Sequence, residues 1–294
     1  GSVKMSTYKK IDQYQEVHVT TIEEIYNTIV EYNKFRNLPR HAFTEDGPLL
    51  QGFYRGQNNS EWDISPSLLR TKIPEPQILR NFSPNKEMSL FGTIAYIQHH
   101  QTGTRFIDFT TNPDVAIFFA CLGSDNTDGA VFLYDYSPHQ AEWYTSVVLS
   151  ELARLEDNDK ITVQYLAEQV LKNNPDLSNR FNSIEELNGG IISFLDHGFM
   201  VLPDNESLNE NLRLKRQQGC FFICGVEFEP ELIPTRRWFS HAGKNYFYPH
   251  SAVIPSSLKN GHTLVKLIIA KECKQDILKY LESKGITHDY LFPE

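Results

Sequence analysis

Residues 98 to 121, QHHQTGTRFIDFTTNPDVAIFFAC, constrain this chain more than any other stretch, because they set a run of polar and ionisable side chains against a helix without a polar face. Asn112, Pro113 and Asp114 have the form of a helix start: an asparagine whose side-chain oxygen serves the orphan amides, then proline at the first helical position. The helix that follows, VAIFFAC, is apolar all round and must be buried. A polar loop held over a buried helix is how a pocket is built. The fold must therefore bring His99, His100, Thr104, Arg105, Asp108, Thr110 and Thr111 to the edge of a core.

The rest of the chain supplies both helix and strand patterns around that stretch. Thr21 followed by Glu24 is a capping box, and Ile22, Ile25, Tyr26 and Ile29 recur at helical spacing, which predicts an amphipathic helix over residues 20 to 36. LLQGFYRGQ predicts a short strand that ends near Gly56 and delivers Arg55. Ser83 and Pro84 mark a further helix entry, with Leu90, Phe91, Ile94 and Ile97 as its buried stripe. Strands are predicted in AVFLYDY, which Gly129 precedes, in GCFFICGVEF and in TLVKLIIA, and a last helix, KQDILKYLESKG, stops at Gly285. Between about 139 and 212 the sequence is acidic and helical, with a second capping box at Ser183 and Glu186. These patterns predict an α+β domain with a single mixed or antiparallel β core, flanking helices and a helical insert at about 139–212. They further predict an N-terminal helical segment over 1–46 that packs on a domain over 47–294.

With 294 residues, 40% of them hydrophobic, the chain has ample material for a core. It lacks any run of the ~20 apolar residues that a membrane span needs. The start GSVKM has neither a basic nor an apolar leader pattern, so the expectation is a cytoplasmic protein without membrane contact. Its four cysteines, Cys121, Cys220, Cys224 and Cys273, are too few and too scattered for a disulfide framework. Cys220 and Cys224 share a strand face without a second ligand pair, so buried thiols are expected and no metal site. The net charge of -9 argues against binding long nucleic acid through phosphate neutralisation, although Arg213, Lys215 and Arg216 form one local basic patch and Arg236 and Arg237 another.

The chemically capable residues fall at three separated places. Tyr54-Arg55-Gly56-Gln57 ends a strand; an arginine beside a glycine suits an anion, and a structural salt bridge is the alternative. His99 and His100 are adjacent and point roughly 100° apart on a helix, so one of them is structural and the other is a candidate base or orienting group. Gln217-Gln218-Gly219 precedes an apolar strand, where an amide can orient a sugar hydroxyl or carboxamide but cannot act as a general base. No Walker loop, GxGxxG after a strand, HExxH helix or Ser/His/Asp triad accompanies them, which sets aside P-loop NTPases, Rossmann dehydrogenases, zincins and serine hydrolases.

Taken together, YRGQ at 54 to 57, the block at 98 to 121, RLKRQQGCF at 213 to 221 and the closing LFPE resemble the FRG domain family, over about 240 residues. Gln98, His99, Thr104, Arg105, Asp108, Phe109, Thr110, Asn112, Pro113, Ala116, Phe119 and Ala120 occupy the places of the family's central pattern. Gln101 and Gly103 depart from it, standing where the family usually has glycine and often proline. A more distant resemblance is to ADP-ribosyltransferases, with Arg55, Thr110-Thr111 and Gln217 in the order of their three motifs. That resemblance implies an ADP-ribosyltransferase-like core and NAD as substrate. It implies an NAD-binding set of Tyr54, Arg55, Gly56, Gln57, Thr104, Arg105, Thr110, Thr111 and Gln218, and a catalytic set of His99, His100, Asp108 and Gln217. It further implies a macromolecular acceptor, protein or nucleic acid, and a bacterial toxin or anti-phage effector with a neutralising antitoxin or chaperone. Gln217 stands where many such enzymes carry glutamate, so the base would come from His99, His100, Asp108 or the substrate. A non-catalytic nucleotide- or partner-binding module and an NAD glycohydrolase are the alternatives.

Overall fold

The computed structural model describes residues 15–36, 51–82, 87–100, 103–123, 125–230, 239–254 and 265–293. The expected helix entry at Ser83 and Pro84, the departure at Gln101 and the basic pair Arg236 and Arg237 lie outside them.

Where the sequence carries a local signal, the elements follow it. Thr21 Oγ1 accepts the Glu24 amide at 3.1 Å and caps α1 (Ile22–Arg36), whose Ile25, Ile29 and Tyr32 are buried. Asn112 Oδ1 accepts the Asp114 amide at 3.0 Å and starts α4 (Pro113–Cys121). Between these lie β2 (Gln51–Gln57), α2 (Glu75–Asn81), α3 (Leu90–His100) and β3 (Phe106–Thr110). β4 (Gly129–Tyr136) runs through the core. The 139–212 segment is mainly helical, with α5 (Tyr144–Glu151), α6 (Val163–Asn173) and α7 (Ile184–Ile192). It also contributes β5 (His139–Gln140), β6 (Ile161–Thr162) and β7 (Phe199–Leu202) to sheets, and ends in the short helices α8 (Asn205–Glu210) and α9 (Leu212–Arg216).

GCFFICGVEF reads as one apolar strand but breaks at Cys224 into β8 (Gly219–Ile223) and β9 (Gly225–Phe228), which belong to different sheets. β10 (Tyr246–Val253) pairs with β9 and β6, while β11 (Val265–Ile269) pairs with β4. The chain then closes through α10 (Lys274–Ser283) and α11 (His288–Leu291). The N-terminal segment is more than a packed helix, because β1 (Gln15–Val19) lies parallel to β11 at a sheet edge.

The large sheet has the order β1-β11-β4-β2-β3-β8-β7-β5 and the small one β6-β10-β9. β1 with β11 and β5 with β7 are parallel and the other pairs antiparallel, so the class is α+β with a mixed, mostly antiparallel sheet. Buried side chains of α1, α4 and α10 pack with those of β2, β4 and β11. Those of α5, α6 and α7 pack with Phe106, Phe221 and Ile223. Each Val, Ile or Phe that α4 buries completely contributes roughly 1.5–3 kcal/mol, which offsets its lack of a solvent-facing polar stripe.

The centre of the large sheet is where the site is made. β2 pairs with β4 along its whole length, and β3 with β8 likewise, but β2 and β3 meet only at Tyr54 and Thr110. Beyond that pair the strands part. The Arg55 guanidinium reaches across, its Nη1 donating to the Asp108 carbonyl at 2.9 Å. A side chain thus stands where a ladder hydrogen bond would be, and the backbone carbonyl is satisfied without closing the sheet.

Candidate functional site

Two chambers open along the parted strands, and they share Arg55, Gly56 and Phe119. The inner one has a volume of about 220 Å³ and is lined by Tyr54, His99, Asp108, Thr110 and Gln217, among others. The outer one, of about 730 Å³, is lined by Gln57, Trp62 and Arg70 among others. Three separated sequence segments therefore converge on a single cleft.

Arg55 is held from two sides. Its Nε donates to Gln57 Oε1 at 3.1 Å and its Nη1 to the Asp108 carbonyl, leaving Nη2 without a protein partner among the described residues. Burial lowers the pKa of this guanidinium, the Asp108 carboxylate acts against the shift and neighbouring Arg70 adds to it. Arginine remains charged through such a shift, so Arg55 presents a fixed cation with a free donor.

Asp108 lies in the middle of β3, yet its side chain is 46% exposed because the parted strands leave it facing the cleft. Its Oδ1 is shut away 3.5 Å from His99 Nε2, a charge contact longer than a good hydrogen bond. Burial pushes the carboxyl up, but His99 and then Arg55 outweigh it and hold the group below its ordinary value of 3.8. Asp108 is consequently a carboxylate at neutral pH, able to accept a proton or face a developing positive charge. His99 stands behind it, 4% exposed at the side chain and edge-on to Phe221.

Gln217 and Thr110 complete the inner wall. The Thr110 hydroxyl donates to the Gln217 carbonyl at 2.7 Å and accepts the Asn112 amide at 3.1 Å, so it ties β3 to the turn before β8. Gln217 Nε2 donates to the Leu291 carbonyl at 3.1 Å. A glutamate here would set a carboxylate against that carbonyl, which gives a structural reason for the amide at this position. The same C-terminal segment packs Phe292 edge-on to Phe119, with ring centroids 5.7 Å apart.

Other expected site residues are placed elsewhere. His100 is exposed, stacks on Tyr96 at 4.0 Å and hydrogen bonds the Tyr96 carbonyl, as the 100° offset from His99 requires. Arg105 is 1% exposed and bonded to Glu75 and three carbonyls, far from holding a ligand. Thr104 donates to Gln98 Oε1 at 2.6 Å and accepts the Phe106 amide. Thr111 meets the Gln218 carbonyl through its amide, and the exposed Gln218 occupies a left-handed turn at φ 47°. None of these five lines either chamber. The basic patch also has structural partners, since Arg213 bonds the His99 carbonyl and covers Phe292, and Arg216 bonds the Tyr290 carbonyl. Cys121, Cys220 and Cys224 are buried free thiols.

Two glycines carry conformational information. Gly103 has φ 108°, out of reach for proline, so the departure from the family pattern at this position goes with a different loop path. Gly56 is where β2 touches α4: an added Cβ would lie 1.8 Å from the Ala116 carbonyl oxygen. The glycine is thus required by the helix-on-strand contact, at a position that also lines both chambers. Gly56→Ala is expected to force the two elements apart at a cost of about 1–3 kcal/mol or more. A thermal unfolding midpoint equal to that of the wild type would contradict this contact.

Trp62, Arg70 and Phe119 also line the cleft, and no motif marks the first two. They lie in a stretch without a motif, brought to Arg55 only by the turn after β2. Phe119 was visible in the VAIFFAC helix and in the family's central pattern, without a role in a site.

An α+β chain with a cleft at parted central strands, walled by an arginine, an aspartate and a histidine, is a class the geometry alone defines. The family model described as FRG domain matches residues 51–129, a stretch that spans β2, β3 and α4. Gln217 and the C-terminal LFPE lie beyond the matched stretch. No curated protein matches the chain, and no solved structure does. No helix among the described residues is long and apolar enough to cross a membrane.

Proposed function

We propose that the chain is an ADP-ribosyltransferase-like enzyme that uses NAD and modifies a macromolecular acceptor, protein or nucleic acid. The observation that carries this reading is the convergence of Arg55, Asp108, His99, Thr110 and Gln217 on one cleft, in spite of their separation in sequence. The parting of β2 from β3 supports an ADP-ribosyltransferase-like core.

The residues have coherent roles in such a reaction. Arg55 offers its free Nη2 to a phosphate oxygen of NAD. The bond between nicotinamide and ribose breaks with its electron pair leaving on nicotinamide, and the ribose becomes an oxocarbenium ion. The Asp108 carboxylate stabilises that charge and takes the proton of the acceptor as the acceptor bonds to the ribose carbon, with His99 beside it orienting the carboxylate. Gln217 shapes the inner chamber and transfers no proton. A reducing compartment, in keeping with the buried thiols, and a neutralising partner for a toxin or defence effector belong to the same reading.

Incubation with NAD labelled in the adenosine half, together with a cell lysate, tests the reading. Label transfer with nicotinamide release is expected, falling at least a hundredfold in Arg55→Ala. Nicotinamide release without label would mean a glycohydrolase. The tie of Gln217 to Leu291 favours a second reading, a nucleotide-binding module, which NAD binding without any turnover would establish.

A further inference from the structure

We infer that the outer chamber is a nucleoside diphosphate subsite in which Arg70, opposite Arg55, grips the phosphates and Trp62 offers its face to the base. The choice of adenosine diphosphate as the nucleoside diphosphate rests on the NAD reading above. The anion site itself rests on the geometry of the chamber.

Two guanidiniums line this chamber, and neither has a carboxylate partner within ion-pair distance among the described residues. Burial and the neighbouring Arg70 both act against the charge on Arg55, and a phosphate group held between the two guanidiniums relieves that cost. Arg70 is not a loose surface side chain. Its Nη1 donates to the carbonyl and hydroxyl of Ser65, another residue of the chamber wall.

The turn that carries Arg70, Ser67–Arg70, is itself fixed to the polar loop before β3. Ser67 Oγ accepts the Gly103 amide at 2.7 Å, and the Leu68 amide donates to the Thr104 carbonyl at 2.9 Å. Gly103 and Thr104 therefore position Arg70 instead of touching ligand.

Trp62 is 56% exposed at the same chamber, while Gln57, which also holds Arg55, donates to the Trp62 carbonyl at 2.9 Å. An exposed indole on a backbone held next to two guanidiniums suits a base joined to phosphates. The volume of about 730 Å³ lies within the roughly 300–1,000 Å³ of small-molecule sites, whereas the inner chamber is too small for a nucleotide. Glu61 and Asp63 also line the outer chamber. Two carboxylates against two guanidiniums leave the chamber formally neutral, so the directed guanidinium donors hold the ligand and the added charge of a triphosphate meets no further cation.

Calorimetric titration of the full chain with ADP, ATP, inorganic pyrophosphate and adenosine tests the subsite. ADP is expected to bind more tightly than ATP or either fragment. Arg70→Ala should weaken ADP at least tenfold and Arg70→Lys should recover part of the loss. Trp62→Ala should weaken ADP but leave pyrophosphate unchanged, with Trp62→Phe close to wild type. Both side chains are exposed, so unchanged thermal midpoints are expected to show that the variants fold. No ADP binding at millimolar concentration, or ADP affinity indifferent to both alanine variants, overturns the subsite. Nicotinamide release measured on the same proteins separates the two readings: turnover without this ADP dependence sinks the subsite alone, and ADP binding without turnover sinks the enzyme reading alone.

Discussion

Arg105→Ala is expected to cost about 3–5 kcal/mol, the range for removing one partner of a buried ion pair, and to lower the unfolding midpoint by on the order of 10 °C. Nη2 of Arg105 donates to Glu75 Oε1 at 2.8 Å and to the Pro249 carbonyl at 2.7 Å, and Nη1 donates to the carbonyls of Cys224 and Ser251. One side chain thus joins the start of β3, the break between β8 and β9, β10 of the small sheet, and α2. Alanine would leave the Glu75 carboxylate, itself 4% exposed, with only His250 Nδ1 at 3.2 Å. Arg105→Lys should recover little, since a single ammonium cannot fan out to four acceptors. Circular dichroism melting checks both variants; a loss of less than 2 °C in Arg105→Ala would remove this joint from the account.

The same cluster sets an acid limit. Burial pushes the Glu75 carboxyl up, but Arg105 and His250 outweigh it and hold the group below its ordinary value of 4.5. A carboxyl whose pKa falls on folding adds stability above its unfolded value, and that part is lost as pH drops toward the folded one. Wild-type stability should therefore decline below about pH 4.5, and Glu75→Gln should flatten that decline while lowering stability at neutral pH.

Asp108→Asn carries the second large expectation, a fall in nicotinamide release of roughly 10²–10⁴-fold with the fold intact. Asparagine keeps the shape of the side chain and leaves the backbone carbonyl that anchors Arg55. It removes the negative charge that faces the inner chamber. ADP affinity, set in the outer chamber, should change less than threefold. Because the carboxyl is held below 3.8, activity that depends on its ionised form should show no falling acid limb above that pH. Measured turnover within threefold of wild type would move the proton acceptor elsewhere in the cleft.

The site was partly legible in the sequence. Arg55, Asp108, Thr110 and Gln217 stood out because a charged or hydroxyl side chain beside an apolar run has no place in a core unless something faces it. The same signal overreached at Thr104 and Arg105. Both are polar in an apolar setting, yet Arg105 is satisfied by an acid and three carbonyls and Thr104 by Gln98, partners that lie far away or are indistinct along the chain. Polarity in a buried context signals a partner, and sequence does not say whether that partner is protein or ligand. Trp62 and Arg70 were missed for the opposite reason: each is unremarkable alone and acquires meaning only from proximity to Arg55.

What the sequence determined by itself was local: the capped starts of α1 and α4, the burial of α4, the strands β2, β4 and β11, and the mixed α+β class, all governed by periodicity and capping over a few residues. What tertiary structure decided was the parting of β2 from β3, the switch of sheets at Cys224, and which face of each polar residue meets the cleft. Those depend on pairings between distant segments. A strand's pattern records whether its faces are buried, but not which neighbour it zips to or where the zipping stops.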